Sequence, residues 1–123
     1  NLIHNAMQEL HDGGGIYCFA GENLVLRGNF IRDIVDTGGY GASAYYLDER
    51  SENCVVEGNL SVNVVRPSHN HMAKNNAHRN NVCINDGDMR LTWPRSSGWP
   101  TTPTSPAAST RRSRAWSTSC ATR

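Results

Sequence analysis

GENLVLRGN at residues 21–29 returns as SENCVVEGN at residues 51–59 and, more loosely, as AKNNAHRNN at residues 73–81. Each copy reads as a polar turn, a short apolar segment, a Gly or Asn, and an Asn that opens a second apolar segment. The phrases NLIHNA, NFIRDI, NLSVNV and NVCIND begin 28, 30 and 22 residues apart, counted from Asn to Asn. A period of this length is typical of one coil of a solenoid and is too short for an independent domain.

The segments within each copy are short, rich in Val, Ile, Leu and Phe, and bounded by Gly and Asn. These features favour β-strands, and no helical stripe of apolar residues precedes residue 90. The backbone groups of such strands must pair with the equivalent strand one repeat away, at a spacing of about 4.8 Å. The sequence therefore predicts an all-β fold, a parallel β-helix of about three to four coils over residues 1–90.

One Asn recurs at the same turn of every copy, as Asn29, Asn59 and Asn81. Stacked asparagines can hydrogen-bond to one another along a fibre or solenoid axis, and Asn tolerates left-handed backbone. We interpret these three residues as a structural ladder at a coil corner. Gly28 and Gly58 precede two of them, where a side chain would not fit.

The last third of the chain has a different composition. Residues 1–89 carry 6 basic and 11 acidic side chains, whereas residues 90–123 carry 6 Arg and no acid. Ser, Thr, Pro, Ala and Arg dominate this stretch, so residues 91–123 are predicted to be a disordered, low-complexity tail. Two interpretations stay open: a shifted reading frame, which we favour, or a basic arm in which Arg111, Arg112, Arg114 and Trp116 contact nucleic acid. We therefore predict no nucleic-acid partner.

Two further phrases, DGGGIY at residues 12–17 and AYYLDE at residues 44–49, lie in successive repeats. Together with the Asn-phased coils, they resemble the right-handed parallel β-helix proteins of the pectate-lyase-like superfamily, in particular the bacterial carbohydrate-active members. The resemblance covers about residues 1–88. It implies a right-handed coil, a polysaccharide or oligosaccharide partner, and a secreted, periplasmic or cell-surface location.

The chain starts on Asn1 in the middle of the pattern, so we expect a fragment of a longer β-helix protein. No signal peptide is visible, and no apolar run approaches the length of a membrane span, so membrane insertion is not predicted. Cys18, Cys54 and Cys83 fall at or beside strand positions and are predicted to be small core residues.

Asp12, Asp48 and Glu49 are the acids that we predict to be catalytic. On a β-helix, carboxylates on neighbouring coils lie roughly 5 Å apart and those two coils apart roughly 10 Å, which brackets the separations used in glycoside hydrolysis. Alignment of the repeats places Asp12 opposite Gly41 and Asp48 opposite Phe19, so the two acids are out of register. The alternative is that they are turn carboxylates that accept backbone N–H groups.

His69 and His71 are two residues apart and would share one face of a strand. Such a pair could hold a metal or place a base beside a substrate. No third ligand stands at a recognisable spacing, so no metal and no cofactor are predicted. In sequences of the resembled group a His-containing strand follows the Tyr-Leu-Asp strand, which adds His71 to the predicted catalytic residues and leaves His69 as a substrate-binding candidate.

Tyr17, Tyr46 and Arg50 complete the predicted substrate-binding residues. Aromatic rings can stack on sugars, although strand alternation means that Tyr46 and its neighbour Tyr45 cannot both face a groove. Arg50 and Arg66 could pair with uronate carboxylates or be solvated.

These residues favour a polysaccharide or glycoside hydrolase. Two alternatives stay open: a polysaccharide lyase, and a non-catalytic β-helix that serves as an adhesin or glycan-binding scaffold. A lyase needs a base beside a cationic group. The single lysine, Lys74, aligns with Glu22 and Glu52 in a solvated turn, which places the lyase behind the hydrolase.

Overall fold

The computed structural model describes residues 1–92 and 120–122. Within these residues the secondary structure consists of β-strands, turns and bends, without a helix. The strands are β1 Leu2–His4, β2 Gly13–Cys18, β3 Val25–Arg27, β4 Phe30–Ile34, β5 Ala42–Leu47, β6 Val55–Glu57, β7 Leu60–Val64, β8 Ser68–His71, β9 Ala77–Arg79, β10 Asn81–Ile84, β11 Arg90–Thr92 and β12 Cys120–Thr122.

These strands form three parallel sheets. Sheet 1 has the order β1-β4-β7-β10-β12, sheet 2 the order β11-β8-β5-β2, and sheet 3 the order β3-β6-β9. From β1 to β11 the chain passes through sheets 1, 2 and 3 in strict rotation, so each strand pairs with the one three positions earlier. The prediction of an all-β fold with parallel strands is confirmed, and the stacked sheets are compatible with a parallel β-helix.

Strand register follows the repeats that the sequence defines. In sheet 3, Val25 pairs with Val55 and Val55 with Ala77, as in the alignment of the three phrases. Isolated bridges join Glu22 to Glu52 and Glu52 to Lys74 just before these strands. The sequence alignment of the repeats thus matches the strand pairing residue for residue. A residue that faces outward in one repeat therefore lies beside the aligned residue of the next repeat.

The ladder of asparagines is confirmed. The Nδ2 of Asn1 donates to Asn29 Oδ1 at 2.8 Å, that of Asn29 to Asn59 Oδ1 at 3.0 Å, and that of Asn59 to Asn81 Oδ1 at 3.0 Å. Asn29, Asn59 and Asn81 are buried. Each buried amide therefore has partners on the neighbouring repeat, as a buried polar group requires.

The left-handed backbone lies one residue before the ladder, which corrects the prediction. Gly28, Gly58 and Asn80 have φ values of 67°, 60° and 54°. The ladder asparagines instead direct their own N–H groups along the stack: Asn29 N donates to Asn59 Oδ1 at 2.9 Å. The residue before each ladder Asn therefore adopts the left-handed conformation that turns the chain. The Asn itself can then donate both its backbone N–H and its side-chain amide to the same oxygen of the next Asn.

An apolar core fills the space between the sheets. Ile31 and Ile34 of sheet 1, Leu47 of sheet 2 and Val56 of sheet 3 are at most 1% exposed. Burial of a side chain of this size contributes about 1.5–3 kcal/mol relative to exposure. The core therefore joins all three sheets.

A polar cluster interrupts this core beside β8. The backbone N–H of Cys54 donates to Asn76 Oδ1 at 2.8 Å, so Asn76 Nδ2 faces Asn70 Oδ1 at 3.3 Å. Asn70 Nδ2 then lies 3.1 Å from His78 Nε2, and Ser68 Oγ lies 3.0 Å from the same nitrogen. This chain of donors starts from a backbone group and makes His78 Nε2 an acceptor. Burial lowers the pKa of His78 to about 4, so the imidazole is neutral at pH 7.

The cysteines have three different environments. Cys54 is fully buried and Cys18 is partly buried, and both are free thiols, as predicted for small core residues. Cys83 is buried in the core, as predicted, and is in addition disulfide-bonded.

Strand β11 crosses the boundary that composition predicts after residue 90, because Leu91 and Thr92 pair with Asn70 and His71. Residues 120–122, which fall in the predicted disordered tail, form β12 and pair with β10. The rest of that tail, residues 93–119 and 123, lies outside the described residues, and so do the arginines of the alternative nucleic-acid arm.

Candidate functional site

The outer face of sheet 2 carries a column of aromatic and basic side chains. Tyr17 of β2 pairs with Tyr46 of β5, Tyr46 with His69 of β8, and His69 with Arg90 of β11. Their neighbours along the strands, such as Tyr45 and Leu47, belong to the core cluster. Alternation along each strand therefore directs the column away from the core, and the prediction that Tyr45 and Tyr46 lie on opposite faces is confirmed.

Three rings of this column are in contact. Tyr46 stacks on His69, with ring centroids 4.4 Å apart and an angle of 24° between the ring planes. Tyr17 and Tyr46 make an edge-to-face contact, with ring centroids 5.3 Å apart. Tyr46 and His69 are almost fully buried, whereas Tyr17 is 46% exposed. The exposed Tyr17 ring is therefore the part of the stack that a sugar could contact.

Both tyrosine hydroxyls hold a carboxylate. Tyr17 Oη donates to Asp48 Oδ2 at 2.5 Å, and Tyr46 Oη donates to Asp12 Oδ1 at 2.9 Å. The hydrogen bond to Asp48, followed by burial, raises the pKa of Tyr17 to about 12. Burial and then the bond to Asp12 raise the pKa of Tyr46 as well. Both hydroxyls are thus protonated donors at neutral pH, and each carboxylate is oriented by a side chain from the neighbouring strand.

The acids are out of register, as the alignment predicts: Asp12 N donates to Gly41 O, and Asp48 N donates to Cys18 O. The long tyrosine side chains bridge this offset. Neither carboxylate accepts a backbone N–H within the described residues, which argues against the alternative of simple turn carboxylates.

His69 and His71 share this face, with ring centroids 5.8 Å apart. Thr92 Oγ1 joins them, 3.0 Å from His69 Nε2 and 2.5 Å from His71 Nδ1. On its other side, His71 Nε2 lies 3.9 Å from Glu49 Oε1. Burial, with the charge of Arg90 next, lowers the pKa of His69 to about 4. The Thr92 hydroxyl has a single proton, so it can donate to one of the two rings while its oxygen accepts from the other.

Strand β5 ends at Leu47, so Asp48 and Glu49 both lie in the turn that follows it. Their contacts with Tyr17 and His71 keep both of them out of the core. Of the eight residues predicted from sequence, seven lie in this one connected group. Arg50 is exposed, and within the described residues no hydrogen bond or ion pair joins its side chain to the group.

Sequence reasoning missed Thr92 and Arg90, because composition assigned them to the border of a disordered tail. The signal was present: Leu91 between Arg90 and Thr92 repeats the pattern of Leu47 between Tyr46 and Asp48. A second arginine, Arg66, reaches the same region as Arg90. Its Nη1 donates to Tyr40 O at 3.1 Å.

Within residues 1–92 no group of three His, Cys, Asp or Glu side chains is arranged to hold a metal ion. No helix in the described part of the chain has the length and apolar character needed to cross a bilayer. The chain matches no protein-family model, no curated protein and no solved structure.

Proposed function

We propose that this chain belongs to a right-handed parallel β-helix protein of the pectate-lyase-like type, and that the outer face of sheet 2 binds and hydrolyses a glycoside. The observation that carries the proposal is the pair of hydrogen bonds that hold Asp48 on Tyr17 and Asp12 on Tyr46, at 2.5 and 2.9 Å. Glycoside hydrolysis ordinarily needs two carboxyl groups, one that protonates the leaving oxygen and one that activates water or attacks the sugar.

The neighbouring residues supply the other functions that such a site needs. The exposed ring of Tyr17 offers a stacking surface for a pyranose. Glu49, 3.9 Å from His71, adds a third carboxyl group and an imidazole to the same face. Asp12, Asp48, Glu49 and His71 are accordingly the proposed catalytic residues. Tyr17 is the proposed contact for the substrate, and the buried Tyr46 and His69, predicted as substrate-binding residues, support its ring through the stack.

The environment of Lys74 weighs against the elimination reaction that a polysaccharide lyase catalyses. Its Nζ lies 3.0 Å from Glu52 Oε2, in the turn that precedes sheet 3. An ion-paired ammonium is a poor base, and this one belongs to a different corner of the repeat from the sheet 2 face. We therefore place hydrolase ahead of lyase.

The test is to incubate the chain with a panel of polysaccharides and to measure new reducing ends, ultraviolet absorbance of unsaturated products, and binding. The hydrolase proposal expects reducing ends without unsaturation. Asp12→Asn and Asp48→Asn should each abolish that release, whereas Glu22→Gln, an exposed acid outside the group, should not.

Three other outcomes are informative. Unsaturated products would make the protein a lyase, and binding without cleavage would make it a glycan-binding scaffold. Cleavage that survives Asp12→Asn, Asp48→Asn and Glu49→Gln would place the active site elsewhere. As a secreted or surface protein, the parent would meet such polysaccharides outside the cell.

A further inference from the structure

Two arginines from distant parts of the chain meet at one backbone oxygen. Arg66 lies between β7 and β8, and Arg90 opens β11. Arg66 Nη1 donates to Tyr40 O at 3.1 Å, and Arg90 Nη1 donates to the same oxygen at 3.2 Å. Because they share this acceptor, the two donor nitrogens lie within about 6 Å of each other. Two like charges at this separation repel each other, and an anion bound between them would offset that repulsion.

Several cations of the described region, unlike Arg66 and Arg90, contact a carboxylate. Arg27 and Arg79 both contact Glu57, Arg32 contacts Asp33, and Lys74 contacts Glu52. Within residues 1–92, no carboxylate lies within 4.0 Å of either Arg66 or Arg90. A guanidinium offers five donors, and one bond to Tyr40 O leaves most of each fork available.

The pair adjoins the aromatic column. Arg90 is the in-register neighbour of His69, and both arginine charges help to lower the pKa of His69. Tyr17 stands at the other end of the column, three strands and about 14 Å away. The guanidinium groups themselves meet at Tyr40 O, next to Gly41, whose carbonyl accepts from Asp12 N, so both charges lie at the start of β5, beside the turn that carries Asp12.

We infer that Arg66 and Arg90 form a subsite for an anionic substituent of the saccharide, a carboxylate or a sulfate ester. Planar guanidinium forks bind such oxyanions through two parallel hydrogen bonds. An anion there would neutralise the paired charges and fix the register of an extended sugar chain relative to Asp12 and Asp48. This inference rests on the proposed function for the identity of the ligand, and on the arginine geometry alone for its charge.

The first test uses matched probes: an acidic oligosaccharide and its carboxyl-reduced form, and a sulfated oligosaccharide and its desulfated form. The chain should bind at least one acidic probe about tenfold more tightly than its neutral partner. The double variant Arg66→Gln/Arg90→Gln should lose that preference and keep its affinity for the neutral probe. Arg32→Gln/Arg79→Gln removes the same charge from other faces and should change neither affinity. The pair of probes that shows the larger difference in affinity indicates whether the subsite prefers a carboxylate or a sulfate ester.

The second test separates the subsite from the glycan proposal. Sodium sulfate is titrated while the arginine Nε–Hε resonances are followed, with Arg→Gln variants for assignment. Saturable shifts of the Arg66 and Arg90 resonances, without those of Arg32, support the subsite even if no saccharide binds, in which case the proposed function fails alone. Equal affinity for acidic and neutral probes in both pairs, together with no sulfate response at Arg66 and Arg90, would overturn the inference and leave the proposed function standing.

Discussion

Tyr46 Oη donates a 2.9 Å hydrogen bond to Asp12 Oδ1, although Asp12 lies opposite Gly41 and five residues before Tyr46 in the shared register. The Tyr46 ring stacks on His69 of β8, and its hydroxyl reaches the Asp12 side chain on the opposite side of β5. It links the turn before β2 to the carboxyl end of β5. The position of one proposed catalytic acid therefore depends on a side chain of the next repeat.

Replacing Tyr46 by Phe tests this link. The ring and its stacking stay, and only the hydroxyl is lost, so the free energy of unfolding should fall by about 1 kcal/mol. Tyr17→Phe, at an exposed position, should cost less than about 0.5 kcal/mol. Urea unfolding followed by circular dichroism measures both values. A larger loss in Tyr17→Phe than in Tyr46→Phe would contradict the assignment.

Replacing Asp48 by Asn should lower the pKa of Tyr17. The carboxylate accepts the phenolic proton, which favours the neutral tyrosine and raises its pKa to about 12. An amide cannot supply that negative charge, so tyrosinate should form closer to the ordinary value of about 10. NMR of tyrosines labelled at Cζ follows each phenol separately. Asp36→Asn is the control, and an unchanged titration of Tyr17 in Asp48→Asn would show that the contact does not form in solution.

The buried imidazole of His78 predicts a loss of stability in acid. Its pKa is about 4 in the folded chain and about 6.5 in an unfolded one, so the unfolded state binds the proton first as the pH falls. Its contribution is complete above pH 6.5 and declines between pH 6.5 and 4, by about 3 kcal/mol. His69, whose pKa is also lowered to about 4, acts in the same direction.

His78→Gln separates the two histidines, since glutamine can accept from Asn70 without titrating. The free energy of unfolding of this variant should depend less steeply on pH between 6.5 and 4 than that of the parent chain. His4→Gln, at an exposed position, should leave the slope unchanged. If His78→Gln kept the full slope, the neutral acceptor assigned to His78 Nε2 would be incorrect.

The asparagine ladder predicts a strong dependence on position. Asn59→Ala removes bonds to Asn29, Asn81 and the Leu26 carbonyl, and it leaves buried groups without partners. We expect a loss of about 3 kcal/mol or more. Asn1→Ala breaks one side-chain bond at the exposed end of the same ladder and should cost less than about 1 kcal/mol. Equal effects, measured by thermal unfolding, would refute the ladder as a cooperative element.

Much of the candidate site follows from the sequence, because parallel strands that pair in register place equivalent residues of successive repeats side by side. The alignment of Tyr17 with Tyr46 gives their adjacency in sheet 2. It does not give the hydrogen bonds from these tyrosines to Asp48 and Asp12, which cross the register and depend on side-chain length and rotamer. Composition also concealed Thr92 and Arg90, because Leu91 is the single apolar residue of a three-residue strand beside a Ser- and Pro-rich tail.

The sequence alone determined the repeat: its period, the short strands within it, and the asparagines that stack from Asn29 to Asn81. It could do so because backbone pairing between equivalent segments depends only on their spacing. The tertiary structure decided which outward residues act together. Asp12 reaches Tyr46, Thr92 joins His69 to His71, and Arg66 meets Arg90 at Tyr40 O. These contacts form because strands that are distant in the chain are stacked about 4.8 Å apart. Side chains longer than that spacing cross from one repeat to the next.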